Sequence, residues 1–202
     1  MTRIFICDIY SISEEKITSF FDDFPFGKIE KGRLEKIKNQ DRKGSSLAAL
    51  ISLARLVDEY LPLSIERTEN GKPFFKDLTS LKFKLSHAGG IAVAALSDCD
   101  IGVDVEFIRD DVDTQRIAER FFAPTDIKNE DFFSLWTKKE AYSKMLGSTL
   151  APNLSKELPN DIFKQFEVSF KGSRGYISIC SESLRDPNET VEILAEEGIH
   201  LK

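Results

Sequence analysis

The chain has 202 residues, with 28 Lys and Arg against 34 Asp and Glu, a formal net charge of −6 and 41% hydrophobic content. A chain of this size buries roughly 70–75% of its unfolded surface, so it needs neither disulfides nor a structural metal, and it forms one large domain or two small ones. A pI near 5.1 excludes a general nucleic-acid binder, which needs a basic surface.

Residues 3–10 alternate loosely and are rich in β-formers, which predicts a first strand. Ser11 followed by Glu14 is a capping-box pattern, and Ile12, Ile17, Phe20 and Phe21 predict a short helix ending before Pro25. Residues 28–43 carry seven cations against three acids, a local net of +4. Ser45 or Ser46 is the expected cap of a helix whose Leu47, Leu50, Ile51, Ala54 and Val57 repeat at the helical period. Asn70-Gly71 signals a turn, and Pro73 forbids a helix there.

Three strands follow in LKFKLS, IAVAAL and IGVDVE, and the four residues 97–100 predict an antiparallel hairpin joining the last two. Helices are expected over 113–122 and, more strongly, over 131–146, where Gly147 supplies the stop. FEVSF and YISIC, separated by KGSRG, read as another hairpin. Helices and antiparallel hairpins in this order predict an α+β fold rather than a doubly wound parallel sheet.

Cys7, Cys99 and Cys180 are widely spaced and form no CxxC pair, which argues against a zinc site or disulfide framework. The opening residues carry no signal-peptide pattern, and the longest apolar run is too short to span a bilayer. The expectation is a soluble cytoplasmic protein with neither nucleic-acid nor membrane partners.

Three groups of residues carry chemistry. In IGVDVE, Ile101, Val103 and Val105 point to one strand face, and Gly102, Asp104 and Glu106 to the other. The two acids then stand about 6.5–7 Å apart at Cα, close enough to hold one hard cation between them, with Gly102 leaving room for a ligand. A solvated strand face bearing two acids is the plainer alternative. In WTKKEAYSK, Trp136, Glu140 and Lys144 share one helical stripe. Either Glu140 and Lys144 form an exposed ion pair beside a core Trp136, or Glu140 is a third carboxylate brought to Asp104 and Glu106, a donor set that suits Mg²⁺ with phosphate and water. In the third group, GKPFF and KLSHAGG bring Lys72, Ser86 and His87, which together can donate to an anion.

GKPFF, LSHAGG, IGVDVE and WTKKEAYSK, with IAERFFAP between the last two, resemble in this order the 4′-phosphopantetheinyl transferase superfamily, specifically its larger surfactin-synthetase-activating type. The resemblance covers residues 71–147. It implies an enzyme that moves the phosphopantetheine arm of coenzyme A onto a serine of an apo acyl or peptidyl carrier protein, releasing adenosine 3′,5′-bisphosphate. It makes Asp104, Glu106 and Glu140 the Mg²⁺ ligands and Glu140 the base, acting directly or through a water. Lys144 contacts the pyrophosphate or orients Glu140. Gly71, Lys72, Ser86 and His87 hold the nucleotide, with His87 near the 3′-phosphate.

DRKGSSLAAL only partly follows the family's Arg-x-Ser-Leu pattern, so Lys28, Lys31, Arg42 and Lys43 are either phosphate contacts or solvated surface charges. Lys84 stands where the family commonly has Asn; it either helps bind phosphate or faces solvent, and solvent exposure is the simpler expectation. The resembled fold is a monomeric pseudodimer of two similar halves, each a small antiparallel sheet with a helix. The halves are residues 1–100, with the nucleotide contacts, and 101–202, with the metal ligands and catalytic helix. Phe121 and Phe122 are core residues or part of an apolar strip that docks the carrier. Two alternatives remain beside the transferase: another Mg²⁺-dependent phosphate-ester enzyme such as a hydrolase, and a non-catalytic carrier-binding module.

Overall fold

A computed structural model describes residues 1–57, 63–69, 71–127 and 130–202. The first strand, β1 (Thr2–Asp8), ends earlier than expected because the Asp8 carboxylate accepts from Tyr10 N at 2.8 Å and turns the chain into one 3-10 turn. Ser13, not Ser11, caps α1 (Glu14–Asp23), its hydroxyl accepting from Lys16 N at 3.2 Å. Ser11 instead donates to the Asp8 carbonyl and cannot serve as a cap. Pro25 ends that helix and opens α2 (Pro25–Glu35) at its first turn, where a missing N–H costs nothing. The next helix, α3 (Gln40–Val57), starts a full turn before Ser45 and Ser46, because Asn39 Oδ1 accepts from Arg42 N at 2.8 Å.

Two short strands, β2 (Ile65–Arg67) and β3 (Pro73–Phe75), pair with each other. The turn expected at Asn70-Gly71 falls partly on Asn70, which lies outside the described residues. A hairpin follows, β4 (Lys82–Ala88) with β5 (Ile91–Ser97), and then β6 (Ile101–Phe107). The helices α4 (Thr114–Phe121), α5 (Pro124–Ile127), α6 (Phe132–Met145) and α7 (Ala151–Leu154) come next. The chain finishes with the hairpin β7 (Phe163–Phe170) and β8 (Ser173–Ser181), then β9 (Val191–Ala195) and β10 (His200–Leu201).

The strands form two four-stranded sheets, ordered β4-β5-β1-β9 and β10-β7-β8-β6, beside the β2-β3 pair. The fold is therefore α+β, as expected. The hairpin predicted between β5 and β6 does not form. Both hydrogen-bonding edges of β5 are taken, by β4 and β1, so residues 98–100 carry the chain across to the second sheet, where β6 pairs with β8. The return traffic is β9, which leaves the second half of the chain and adds to β1 in parallel.

Alternation along the strands sorts the core into layers. Ile4, Ile6, Ile91 and Val93 of the first sheet meet Ile101, Val103, Ile177 and Ile179 of the second. On the far side of the first sheet, Phe83, Ala94 and Leu96 pack under α1, α2 and α3 with Phe20, Phe26 and Leu50. On the far side of the second sheet, α6 lays Ala141 and Met145 against Cys180. No described helix is long and apolar enough to cross a membrane.

Candidate active site

The site forms where β4 and β6, the edge strands of the two sheets, run beside each other under α6. Local sequence sets each of these elements. Asp131 caps α6, its carboxylate accepting from Phe133 N at 3.0 Å and Ser134 N at 3.2 Å, a cap worth about 1 kcal/mol. Gly147, at φ +68°, takes the left-handed conformation that ends the helix. Gly102 fixes how close the helix lies. A Cβ there would stand 1.8 Å from the Ala141 carbonyl oxygen, so only glycine lets α6 settle on β6. The space expected beside Gly102 for a ligand is thus filled by helix backbone.

With α6 seated, three side chains from three elements meet. Lys144 Nζ donates to Asp104 Oδ1 at 2.7 Å and to Ser86 Oγ at 3.0 Å, and Ser86 Oγ donates to Asp104 Oδ1 at 2.8 Å. Asp104 is buried, and charge-assisted bonds of this kind are the strong ones. The two other expected acids stand beside this triad without such partners. Glu106 has one long ion pair, 3.7 Å to Arg109, and Glu140 accepts no hydrogen bond and forms no ion pair among the described residues. Burial pushes the Glu140 carboxyl above its ordinary range, and the Asp104 charge adds to this, with Glu106 a smaller contributor and Lys144 opposing. Burial likewise raises Glu106, opposed by Arg109 and reinforced by Asp104. The three acids therefore feel one another, as the strand and helix spacings imply.

Among the described residues, no three His, Cys, Asp or Glu side chains are grouped closely enough to hold a metal ion as they stand. The chemistry of the donor set nevertheless fits a hard divalent cation. The three carboxylates raise one another's cost of ionisation, and Glu140 has no hydrogen bond or ion pair among the described residues that would commit its oxygen donors. Lys144 stands on Asp104 at 2.7 Å and marks where positive charge is favoured.

Of the expected anion-binding residues, Ser86 and Lys144 are in this cluster. Burial lowers the His87 pKa most, the Lys144 and Arg42 charges lower it further, and Asp104 opposes. Lys72 reaches the end of α6, its Nζ 3.4 Å from where a Cβ on Gly147 would be. Gly71 is held by Arg67, whose Nη1 donates to the Gly71 carbonyl at 2.8 Å. Lys28 and Lys31 sit exposed on α2, Lys31 over the Phe21 ring, and Lys43 lies near the start of α3; none of the three bonds to the cluster. Lys84 does not simply face solvent. It is half-buried, donates only to the neighbouring Phe83 carbonyl at 3.3 Å, and burial lowers its pKa, aided by Lys72 and Lys82 and opposed by Asp100.

Trp136 stacks on Phe132 at 5.7 Å and packs near Phe122, so it belongs to the core. Phe122 is buried there too, whereas Phe121 is 40% exposed under Arg120.

Two supporting groups escaped the sequence. Lys139, with no exposed surface, donates to Asp126 Oδ2 and to the Lys156 carbonyl, each at 2.7 Å, and so anchors α6 to α5 and to the segment after α7. Glu30, also buried, accepts from Arg33 and from Nε and Nη2 of Arg67, whose Nη1 holds the Gly71 carbonyl. The Glu30 and Arg33 spacing, three apart on a helix, was the only local sign of it.

Comparison with known proteins points the same way. The family model for the 4′-phosphopantetheinyl transferase superfamily matches residues 100–194. A protein of Bacillus subtilis, 4′-phosphopantetheinyl transferase ffp, is 34% identical over 154 residues, covering 65% of this chain and 68% of its own. The Bacillus pumilus 4′-phosphopantetheinyl transferase psf-1 is 34% identical over 125 residues, 54% of this chain and 53% of its own. The Sfp protein of Bacillus subtilis strain 168 is 28% identical over 153 residues, 64% and 67% of the two chains. Against psf-1 and another Bacillus subtilis relative the chain spans about half the relative's length, 53% and 49%.

Proposed function

Because the chain belongs to the 4′-phosphopantetheinyl transferase superfamily, we propose that it transfers the phosphopantetheine arm of coenzyme A to a serine of an acyl or peptidyl carrier protein. The observation that carries this reading is the meeting of Ser86, Asp104 and Lys144 beside a Glu140 carboxylate that has no partner of its own. Phosphate donors and a free base then share one cleft between the two sheets.

In this reading Lys144, Ser86 and Lys72 bind the pyrophosphate, and His87 with Arg42 takes the 3′-phosphate. A phosphate there offsets the cations that lower the His87 pKa, so the imidazole gains a proton as the nucleotide binds. The carrier serine Oγ forms its bond to the phosphorus bearing the pantetheine arm. The bond from that phosphorus to the oxygen of the adenosine-side phosphate breaks, and adenosine 3′,5′-bisphosphate leaves. Glu140 takes the serine proton, directly or through a water. Asp104, Glu106 and Glu140 would hold Mg²⁺, which when bound supplies charge neutralisation at the pyrophosphate. The pseudodimer reading is supported by the two four-stranded sheets, each backed by a long helix, α3 or α6. It places the site at the seam of residues 1–100 and 101–202.

Intact-mass measurement of apo carriers after incubation with coenzyme A and Mg²⁺ tests the activity. A carrier that gains the phosphopantetheine mass supports it. Release of phosphopantetheine without a protein adduct would replace it with a hydrolase. His87→Ala is expected to weaken coenzyme A more than dephospho-coenzyme A in calorimetry, and equal losses would remove His87 from the 3′-phosphate.

A further inference from the structure

The largest cavity described lies far from this cleft, on the helix side of the first sheet, and measures about 510 Å³. That is within the usual size of small-molecule sites, about 300–1,000 Å³. It exists because α3 lies over β4, β5 and β1, while β9 is added beyond the reach of that helix. The floor is Phe5 and Cys7 of β1, one wall is Ile12, Phe20 and Phe24 around α1, and the other is Ile51 and Ala54 of α3. Leu194 of β9 forms the rim and remains 36% exposed. Burial pushes the Cys7 thiol up to about 11, so it stays protonated and acts as a small apolar group.

The rim charges are unequal in their commitments. Lys16 Nζ donates to Glu196 at 3.0 Å, and Glu196 also accepts from Ser11 and from Asp8 N. Asp23 accepts from the Ser19 hydroxyl. Arg55 has neither an ion pair nor a hydrogen bond among the described residues; its guanidinium lies over the Phe5 ring at 6.0 Å. Lys16 and Glu196 neutralise each other, which leaves Arg55 as the rim cation and Asp23 as the rim acid without an ion pair among the described residues.

We propose that this cavity binds a singly charged anionic amphiphile, a medium-chain fatty carboxylate, with its chain between α1 and α3 and its head on Arg55. Arg55 is the rim cation without an ion pair among the described residues, and with Glu196 and Asp23 nearby it favours one negative charge over a phosphate dianion. The site lies on the opposite face of the first sheet from Asp104 and does not depend on the transferase reading.

Titration calorimetry of the full chain with decanoate, and with decanol as the uncharged control, tests this. Decanoate is expected to bind at one saturable site about tenfold more tightly than decanol, the worth of one charge-assisted bond. Arg55→Gln should lower decanoate to the level of decanol and leave decanol unchanged. Leu194→Trp, which fills the cavity from its exposed rim, should abolish both. Ser19→Trp does the same from the solvent side of α1 should Leu194→Trp fail to fold. Absence of saturable decanoate binding to the wild type, or binding unchanged by Arg55→Gln and by the rim-filling variant, would overturn the proposal.

Discussion

Helix α6 carries two lysines five residues apart, each 2.7 Å from an aspartate, and they do opposite things. Lys139 is enclosed completely, with Asp126, a backbone carbonyl and the Phe122 ring using all that it offers. Lys144 keeps 28% of its side chain exposed and shares Asp104 with a hydroxyl, beside two acids that lack strong partners. The first arrangement is saturated, so it can only hold the helix in place. The second has charge left over, which a phosphate or cation can use. What separates a structural ion pair from a chemical one here is the residue of unmet valence around it, since the pair distance is the same.

The sharpest way to break this contrast is Glu140→Gln. Turnover is expected to fall by about 10²–10⁴-fold, the usual worth of a general base, while coenzyme A still binds by calorimetry. Turnover at the wild-type rate would remove Glu140 from the chemistry. Next comes the lysine pair itself. Lys139→Ala strands Asp126 and a carbonyl and should cost about 3–5 kcal/mol in denaturant unfolding. Lys144→Ala leaves Asp104 its Ser86 hydrogen bond and removes a cation that is already partly hydrated, so it should cost less stability than Lys139→Ala yet lose most transfer activity. Equal stability losses for the two would erase the distinction.

The half-buried acids add a pH signature. The folded-state pKa of Glu140 and of Glu106 is raised, so the folded protein holds their protons more tightly than the unfolded chain. Their contribution to stability is fully present below the ordinary glutamate value of 4.5 and is lost as pH rises through the raised values. Without added metal, Glu140→Gln should therefore melt higher than the wild type at pH 7, and the gap should close toward pH 4. Mg²⁺ should raise the melting temperature of the wild type more than that of Glu140→Gln. The smallest expected effect is Asp131→Ala, about 1 kcal/mol of stability from the lost α6 cap, with a modest fall in activity.

The parts of the molecule that could be read directly were those set by short-range rules. Asp131 and Gly147 bracket α6 because caps act within one turn, and the alternation in IGVDVE divides core from site because strand faces alternate strictly. The resemblance carried by residues 71–147 brought Ser86, Asp104, Glu140 and Lys144 into one expectation. Where competing local signals were present, the choice failed. Ser11 and Ser45 or Ser46 were the expected caps, whereas Ser13 and Asn39 accept at the two helix starts. The β5–β6 connection looked like a hairpin because four residues suffice for one, but edge occupancy in a sheet is not a local property. Lys139 and Glu30 were silent for the same reason. Their partners, Asp126 and Arg67, lie 13 and 37 residues away and become visible only when the chain is folded.

The parallel pairing of β9 with β1 also sets a timetable for biosynthesis. Until residues 191–195 leave the ribosome, β1 has a partner on one side only, and its other edge offers unpaired N–H and C=O groups to any neighbouring nascent chain. Glu196, which ties the same tail to Asp8 N, Ser11 and Lys16, arrives later still. The first sheet joins residues 2–8 to residues 191–195, nearly 190 positions later in the chain, so this pairing is among its least local contacts. Until that pairing forms, the open β1 edge is where the chain is most exposed to misassociation.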